Sequence, residues 1–253
     1  MLQTTSYSNR FQDQAAVESY ETKEYGPTSY SSLVWQWQRP VVEKIIADFK
    51  LTRKTPVRLL DFACGTGRVL ACIESLVDRA EGVDISEQMA SLARSKCRAA
   101  QVKVGDILSN PALLSDKYDL VTTFRFLLNV EPALRRLVLK KLREVMSGPD
   151  AILILNVHGN SRSLRHPAIV WRRWRERSHP VGDMLNEMSP PETKALLQEC
   201  GFKIVRQFGF GVLPPTLYRT PLRTPAAAVD KLLAGENVWR NCSIDMMFVC
   251  QPS

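Results

Sequence analysis

The residues best placed to do chemistry lie in one short stretch, Asp61-Phe62-Ala63-Cys64-Gly65-Thr66-Gly67-Arg68. An apolar run holding Val57, Leu59 and Leu60 reaches an acid, small residues crowd into a turn, and apolar side chains resume at helical spacing from Val69 to Ile73. Such a passage from strand through glycine turn to helix lets backbone N–H groups approach a ligand without interference from Cβ atoms. A second acid, Asp84, closes another short apolar stretch about 20 positions later, where its carboxylate can accept hydrogen bonds from ribose hydroxyls. The implied chemistry is the holding of a nucleotide-bearing cofactor, and two cofactor classes use this layout. A dinucleotide site wants a small residue in the third place of G-x-G-x-x-G/A; from Gly65 the chain reads G-T-G-R-V-L, and Leu70 in that place argues against it. Further on, His158 in N-V-H-G-N follows a strongly apolar run. With an unperturbed pKa of about 6.5 it suits a general base for an acceptor hydroxyl; the alternative is a loop histidine hydrogen-bonded beside Asn156 and Asn160.

The elements that must position these residues alternate in type. Strands are expected at 57–61, 79–84, 101–104, 118–124 and 151–157, with helices at about 67–76, from Ser86 as N-cap to Cys97, and from Pro132 to Met146. A helix after Pro190 stops at Cys200-Gly201, a sixth strand covers 202–210, a short helix lies around 226–233, and a last strand covers 243–251. The run AILILNV is almost purely apolar, as expected of a strand covered on both faces. The alternation predicts an α/β fold, doubly wound, with a mostly parallel seven-stranded sheet ending in an antiparallel edge pair. Residues 1–50 read as a polar tail and a helical cap, the latter in two helical pieces around Pro40. Residues 51–253 read as the main domain, interrupted by a basic helical insertion at 158–189.

Composition narrows the class. With 253 residues, 45% hydrophobic and 24% charged, the chain has the make-up of one globular domain. No apolar window is long enough to span a membrane, and the polar N-terminus lacks the pattern of a secretory signal, so a cytoplasmic protein is expected. Six cysteines form no CxxC pair and three histidines show no HxxxH or HExxH spacing. They read as reduced thiols with no metal site. A net charge of +8 permits an anionic partner without demanding one.

Taken together, these residues resemble a known family. D-F-A-C-G-T-G-R resembles the first motif of the class I, Rossmann-like S-adenosylmethionine-dependent methyltransferases, with Ala63 where the first glycine is commonest. Gly82-Val83-Asp84-Ile85-Ser86 with Met89 resembles the second motif, Gly105-Asp106-Ile107 the third, and Tyr118-Asp119-Leu120-Val121 the fourth. The resemblance covers 56–157 and returns at 192–210. It implies S-adenosylmethionine as cofactor and S-adenosylhomocysteine as product. On that likeness Asp61 helps hold the amino acid part of the cofactor, and Ala63, Cys64, Gly65, Gly67 and Arg68 form the turn around it. Asp84 fixes the ribose, Ile85 and Met89 pack near the adenine, and Asp106 lies near the adenine amino group between Gly105 and Ile107. Phe124 and Arg125 border the sulfonium, with core packing the alternative for Phe124.

The acceptor leaves fewer marks. Methyl transfer from a sulfonium needs positioning, plus a base where the acceptor is a hydroxyl or amine, and His158 and Arg125 are the candidate catalytic residues. After the fourth strand the chain reads F-R-F-L-L-N-V, without the N-P-P-Y type motif of adenine and glutamine amide methylation, and no Pro-Cys nucleophile of cytosine methylation is present. Nucleic acid is disfavoured on that ground. In SLRHPAIVWRRWRERSH, Ile169, Val170, Trp171 and Trp174 lie among Arg165, Arg172, Arg173, Arg175 and Arg177. This segment reads as a lid over an anionic acceptor, a contact with an anionic membrane surface or RNA, or a solvated face. Tyr20, Tyr25, Trp35 and Arg39 are candidates to close the cofactor site from the other side. The expected function is methylation of an O or N atom of a small-molecule or saccharide-type acceptor. Alternatives are an RNA or protein methyltransferase, a cofactor-binding partner subunit without turnover, and a dehydrogenase disfavoured by Leu70.

Overall fold

The computed structural model describes residues 17, 21–22, 24–27, 29–114, 116–175 and 187–253. Most of the expected N-terminal tail, with Tyr20, and Arg177 of the basic segment lie outside the described residues, as do the side chains of Arg172, Arg173, Trp174 and Arg175.

The sheet is built from strands β1 (Arg58–Phe62), β2 (Arg79–Asp84), β3 (Gln101–Val104), β4 (Leu120–Thr123), β5 (Ile152–Val157), β6 (Phe202–Phe210) and β7 (Asp245–Pro252). Their order across the sheet is β3-β2-β1-β4-β5-β7-β6. β1 to β5 pair in parallel, and β7 runs antiparallel to both β5 and β6, so the antiparallel pair lies at one edge with β6 outermost. Chain order reverses between β1 and β4, where Asp61 sits opposite Thr122 in register. Ligands of such sheets bind in the crevice outside the strand ends at that reversal.

The helices are α1 (Tyr30–Leu51), α2 (Leu70–Ile73), α3 (Glu87–Lys96), α4 (Pro132–Val145), α5 (His166–Arg175), α6 (Pro190–Glu199) and α7 (Arg223–Leu233). Alternate strand residues bury on opposite faces. Leu60, Val121 and Leu153 pack with Val138, Leu139 and Leu142 of α4, while Leu59, Leu120 and Ile154 pack with Val42 and Ile46 of α1 and Leu70 of α2. Each such side chain, fully buried, contributes roughly 2 kcal/mol.

Three local expectations need correction. The cap helix is one 22-residue piece with Pro40 inside it, not two. Proline inside a helix costs about 3 kcal/mol, but Val34, Trp35, Trp37, Val42, Ile45 and Ile46 on either side of it bury together and hold both halves in line. The helix expected at 67–76 is instead the short α2 followed by a tight 3-10 turn, Glu74–Leu76. There the Glu74 carboxylate accepts from the backbone N–H of Arg98, Ala99 and Ala100 at 2.7–2.9 Å, tying this end of the helix to the connection before β3. Finally, β4 is shorter than expected: Tyr118 makes only an isolated bridge to Met146, and its hydroxyl donates to Glu81 Oε2 at 2.9 Å.

Candidate functional site

The turn between β1 and α2 carries three residues in the left-handed region, Ala63 (φ 53°), Gly65 (54°) and Gly67 (75°). The two glycines do different work. A Cβ on Gly65 would meet nothing within 4 Å, so this residue opens onto space. A Cβ on Gly67 would lie 2.8 Å from Ala93 Cα, so this glycine lets the turn close against α3 rather than admit a ligand. Leu70 also finds its explanation here. A Cβ on Gly82 would stand 2.6 Å from Leu70 Cδ2. The small residue that brings helix and sheet together lies on β2 instead of on the helix.

Two carboxylates frame the turn. Asp61 is buried at the end of β1, where Oδ1 accepts from Thr122 Oγ1 at 2.6 Å and Oδ2 has no well-formed hydrogen bond. Burial raises its pKa to about 7, opposed by the Thr122 hydrogen bond and the charge of Arg68. Asp84 accepts from Gly65 N at 2.8 Å through Oδ2 and from Ser86 N at 2.9 Å through Oδ1, so it braces the turn and the start of α3 at once. Its pKa is also raised by burial, with these backbone donors opposing. Asp106 Oδ1 accepts from Leu108 N at 2.9 Å.

A cleft at the sheet reversal is lined by Ala63, Gly65, Asp84, Ile85, Met89, Gly105, Asp106, Ile107, Phe124 and Arg125, which the sequence motifs bring together as expected. Ile85 remains half exposed at this cleft although it is apolar, a surface suited to a flat ring. Asp61, Cys64 and Arg68 line a small adjoining recess with Tyr25 and Thr66, and Gly67 faces away from both. Arg68 NH1 is buried there without a partner, beside the incompletely bonded Asp61. A half-buried guanidinium with one N–H group unpaired and a buried acid with one free oxygen fit the carboxylate and ammonium of an amino acid moiety. The residues present therefore fit S-adenosylmethionine. Sequence reasoning missed Phe126, Asn129 and Val130 in the connection after β4, and Leu134 and Val138 on α4; that helix was expected, but nothing local marks which of its faces borders a cavity.

Beside the cleft lies a larger cavity of about 580 Å³ that shares Arg125 and Asn129 with it. His158, Asn156, Arg165, Tyr30, Gln38 and Asp245 line it. Arg125 holds a left-handed backbone (φ 58°), donates to Ser31 Oγ at 2.8 Å and pairs with Glu24 at 3.4 Å. His158 is not the hydrogen-bonded loop histidine of the alternative reading. Asn156 donates to Asp245 and to the Met246 carbonyl, Asn160 donates to the carbonyls of Asn241 and Ser243, and His158 Nδ1 is buried without a partner. Burial, then the charges of Arg125 and Arg165, push its pKa well below the usual value and keep the ring neutral.

The described part of the insertion forms one wall of this cavity through His158, Gly159, Leu164, Arg165, Ile169 and Glu187. His166 Nδ1 lies 2.7 Å from Glu187 Oε2, while Val170 and Trp171 are exposed. From the N-terminal side, Tyr25 does reach the site. The Arg68 guanidinium is stacked between Tyr25 (4.2 Å) and Trp35 (4.6 Å), and Glu21 accepts from Thr66 Oγ1 in the glycine turn. Trp35 is a buried packing residue set edge-on to Phe124, and Arg39 does not close the site: it pairs with Glu43 on the exposed side of α1, 2.7 Å away.

Comparison with known proteins places this geometry. A family model described as a methyltransferase domain matches residues 34–207, more than half of the chain. The chain belongs to the methyltransferase family, with the class I fold, whose methyl donor is S-adenosylmethionine. A protein of Geobacillus sp. (strain WCH70) with a provisional methyltransferase name is 30% identical over 126 residues, covering 48% of this chain and 49% of its own. The chain thus spans about half the length of the curated relative it matches. Among solved structures, magnesium protoporphyrin IX methyltransferase from Synechocystis PCC 6803 with bound S-adenosylmethionine matches at a TM-score of 0.60 and 14% identity, all of both chains being covered. A possible histamine N-methyltransferase from Thermotoga maritima matches at 0.62 and 16%, covering 98% of this chain and 100% of that one. At these identities the likeness is one of fold.

Proposed function

We propose that the protein transfers the methyl group of S-adenosylmethionine to an O or N atom of a small, anionic acceptor that enters the larger cavity. The observation that carries this reading is the junction of the two spaces at Arg125 and Asn129: an acceptor in the larger cavity faces the end of the donor cleft. The bound donor supplies an already activated methyl group, so the chain's task is to hold and align. Asp61 and Arg68 take the amino acid part, Asp84 the ribose, Ile85, Met89, Asp106 and Ile107 the adenine, and Phe124 and Arg125 border the reacting centre. His158 lies on the acceptor side with Arg165, whose charge suits a carboxylate or phosphate. The cytoplasm is the proposed location; among the described residues no helix is long and apolar enough to cross a membrane.

Incubation with tritiated methyl donor and fractionated cell extract tests the reading. Label is expected in the small-molecule fraction; label in RNA, lipid or protein, or none at all, would overturn it. Any RNA binding driven by phosphate contacts would weaken steeply with salt in a gel-shift assay.

A further inference from the structure

Asp245, the first residue of β7, was not singled out by any sequence motif. Its carboxylate is buried in the larger cavity, and Oδ1 accepts from Asn156 Nδ2 at 3.2 Å. Asn156 is itself buried and donates also to the Met246 carbonyl, so this contact fixes the carboxylate's direction. Asp245 makes no ion pair among the described residues. Around it Tyr30 Oη and His158 Nδ1 are buried without a hydrogen bond, while Gln38 Nε2 reaches Asp245 itself, though not in good geometry. Buried polar groups are nearly always satisfied in folded proteins, and each one left unmade costs about 1–3 kcal/mol. A cavity that gathers two such atoms beside an oriented carboxylate is built for a polar guest.

We propose that the acceptor's reacting atom is an amine nitrogen lodged against Asp245, in a molecule whose anionic group reaches Arg165. This rests on the methyltransferase reading above and names its acceptor class. The Arg165 side chain has no hydrogen bond or ion pair among the described residues, yet its charge is felt by Asp245, His158 and Tyr30. It is therefore within electrostatic reach of the same spot and available to an acidic group.

The chemistry of the lining favours nitrogen over oxygen. An alcohol must be relieved of its proton by a strong base as it attacks. His158, held neutral by burial and two arginines, is a poor proton acceptor, and the Tyr30 phenol is kept protonated by burial beside Asp245. A neutral amine needs no such base, because its lone pair is already available. Arg125 and Arg165 disfavour the ammonium form, and Asp245 can accept an N–H hydrogen bond that directs the lone pair. In the transfer, the nitrogen lone pair forms the new N–C bond while the S–C bond breaks with its electron pair passing to sulfur. The nitrogen, now carrying one hydrogen too many, gives that proton to the Asp245 carboxylate, from which it leaves to water.

The test uses the full chain, tritiated methyl donor and four matched probe sets: amino acids, their amides, their α-hydroxy acid analogues and the decarboxylated amines. The amino acid set should take label, the hydroxy acids at least 100-fold less, and the amides and simple amines less efficiently than the acids through a raised KM. Asp245→Asn should lower kcat/KM at least 100-fold, with Asp245→Glu recovering part of it. Arg165→Met should raise KM about tenfold and leave kcat within a few-fold. Label in the hydroxy acids in preference to the amines overturns the proposal, as does Asp245→Asn turning over at wild-type rate, or the absence of label from all four sets. Calorimetric titration with S-adenosylhomocysteine separates the two levels. Binding that persists in the variants shows them folded and leaves the donor site standing while the acceptor class falls; absence of binding in the wild type removes the methyltransferase reading itself.

Discussion

The donor cleft and the larger cavity share a wall but are built on different plans. In the donor cleft Asp84 holds the N–H groups of Gly65 and Ser86, and Asp106 that of Leu108, while Asp61 Oδ2 and Arg68 NH1, in the adjoining recess, are left incomplete. In the larger cavity the polar groups come from distant parts of the chain and are left incomplete, with Tyr30 Oη and His158 Nδ1 buried and unsatisfied. A self-braced site keeps its shape before ligand arrives. A site of unsatisfied groups gives up folding free energy so that a guest can complete it. The difference fits a cofactor cleft common to many enzymes beside an acceptor cavity particular to one.

The strongest break between the two should come from Asp84→Ala. It removes two charge-assisted backbone hydrogen bonds and the proposed ribose contact together, each worth about 1.5–3 kcal/mol. Calorimetry with S-adenosylhomocysteine should show affinity falling about 100-fold or more. NADH binding by the wild type, indifferent to this substitution, would instead restore the dehydrogenase reading. Next in size are the glycines. Gly67→Ala forces a Cβ to within 2.8 Å of Ala93 Cα at a φ of 75° and should cost about 2 kcal/mol or more, read as a fall in Tm. Gly65→Ala meets no protein atom and should cost only about 1 kcal/mol of stability, its larger effect being on donor binding. Equal Tm losses in the two variants would contradict the separate duties assigned to them.

The contrast also explains what could be read from the sequence. Donor-side residues sit at strand ends in short motifs, because one strand, one turn and one helix N-terminus suffice to place them. Asp61, Asp84 and Asp106 were legible for that reason. Leu70 was read correctly as a departure from the dinucleotide pattern, but its compensation by Gly82 lies on another strand and leaves no local trace. The acceptor side is the opposite case. Asn156 and Asp245 are 89 positions apart and meet only because β7 inserts between β5 and β6. No spacing rule connects Tyr30, Gln38, Asn156 and Asp245, so the sequence brought forward residues with a local signal: His158 and Arg125, each just past a strand, and Arg165 in the basic segment. Pro40 misled for a related reason: a local penalty was visible while the buried face that outweighs it was not.

Titration should set the two regions against each other with opposite sign. Asp61, whose pKa rises in the folded protein to about 7 against an unfolded value of about 4, binds its proton more tightly when folded. Its contribution is fully present below about pH 4 and is lost as pH rises towards about 7. His158, depressed by burial, contributes stability that is present above its unfolded value of about 6.5 and is lost as pH falls below it. Melting curves from pH 5 to 8 should therefore show Asp61→Asn gaining on wild type as pH rises, by about 1.4 kcal/mol per pH unit up to about pH 7, and His158→Gln gaining on wild type towards the acid end. Parallel shifts of both variants across the whole range would refute the assignment of either group.

The smallest effect should come from Ala63, where the donor turn departs from the commonest family pattern. An L-residue held in the left-handed region costs roughly 1–2 kcal/mol, and Ala63 is held there at φ 53°. Ala63→Gly relieves that strain but loosens the unfolded chain, which costs about 0.4–1 kcal/mol. The two partly cancel, leaving a net stabilisation of about 1.6 kcal/mol at most. Tm should rise by no more than about 6 °C, with affinity for S-adenosylhomocysteine unchanged, because no side-chain contact of the cleft beyond one methyl group is altered. A Tm that falls instead would mean that this methyl, packed against the core cluster of β1 and α4, outweighs the strain of its backbone.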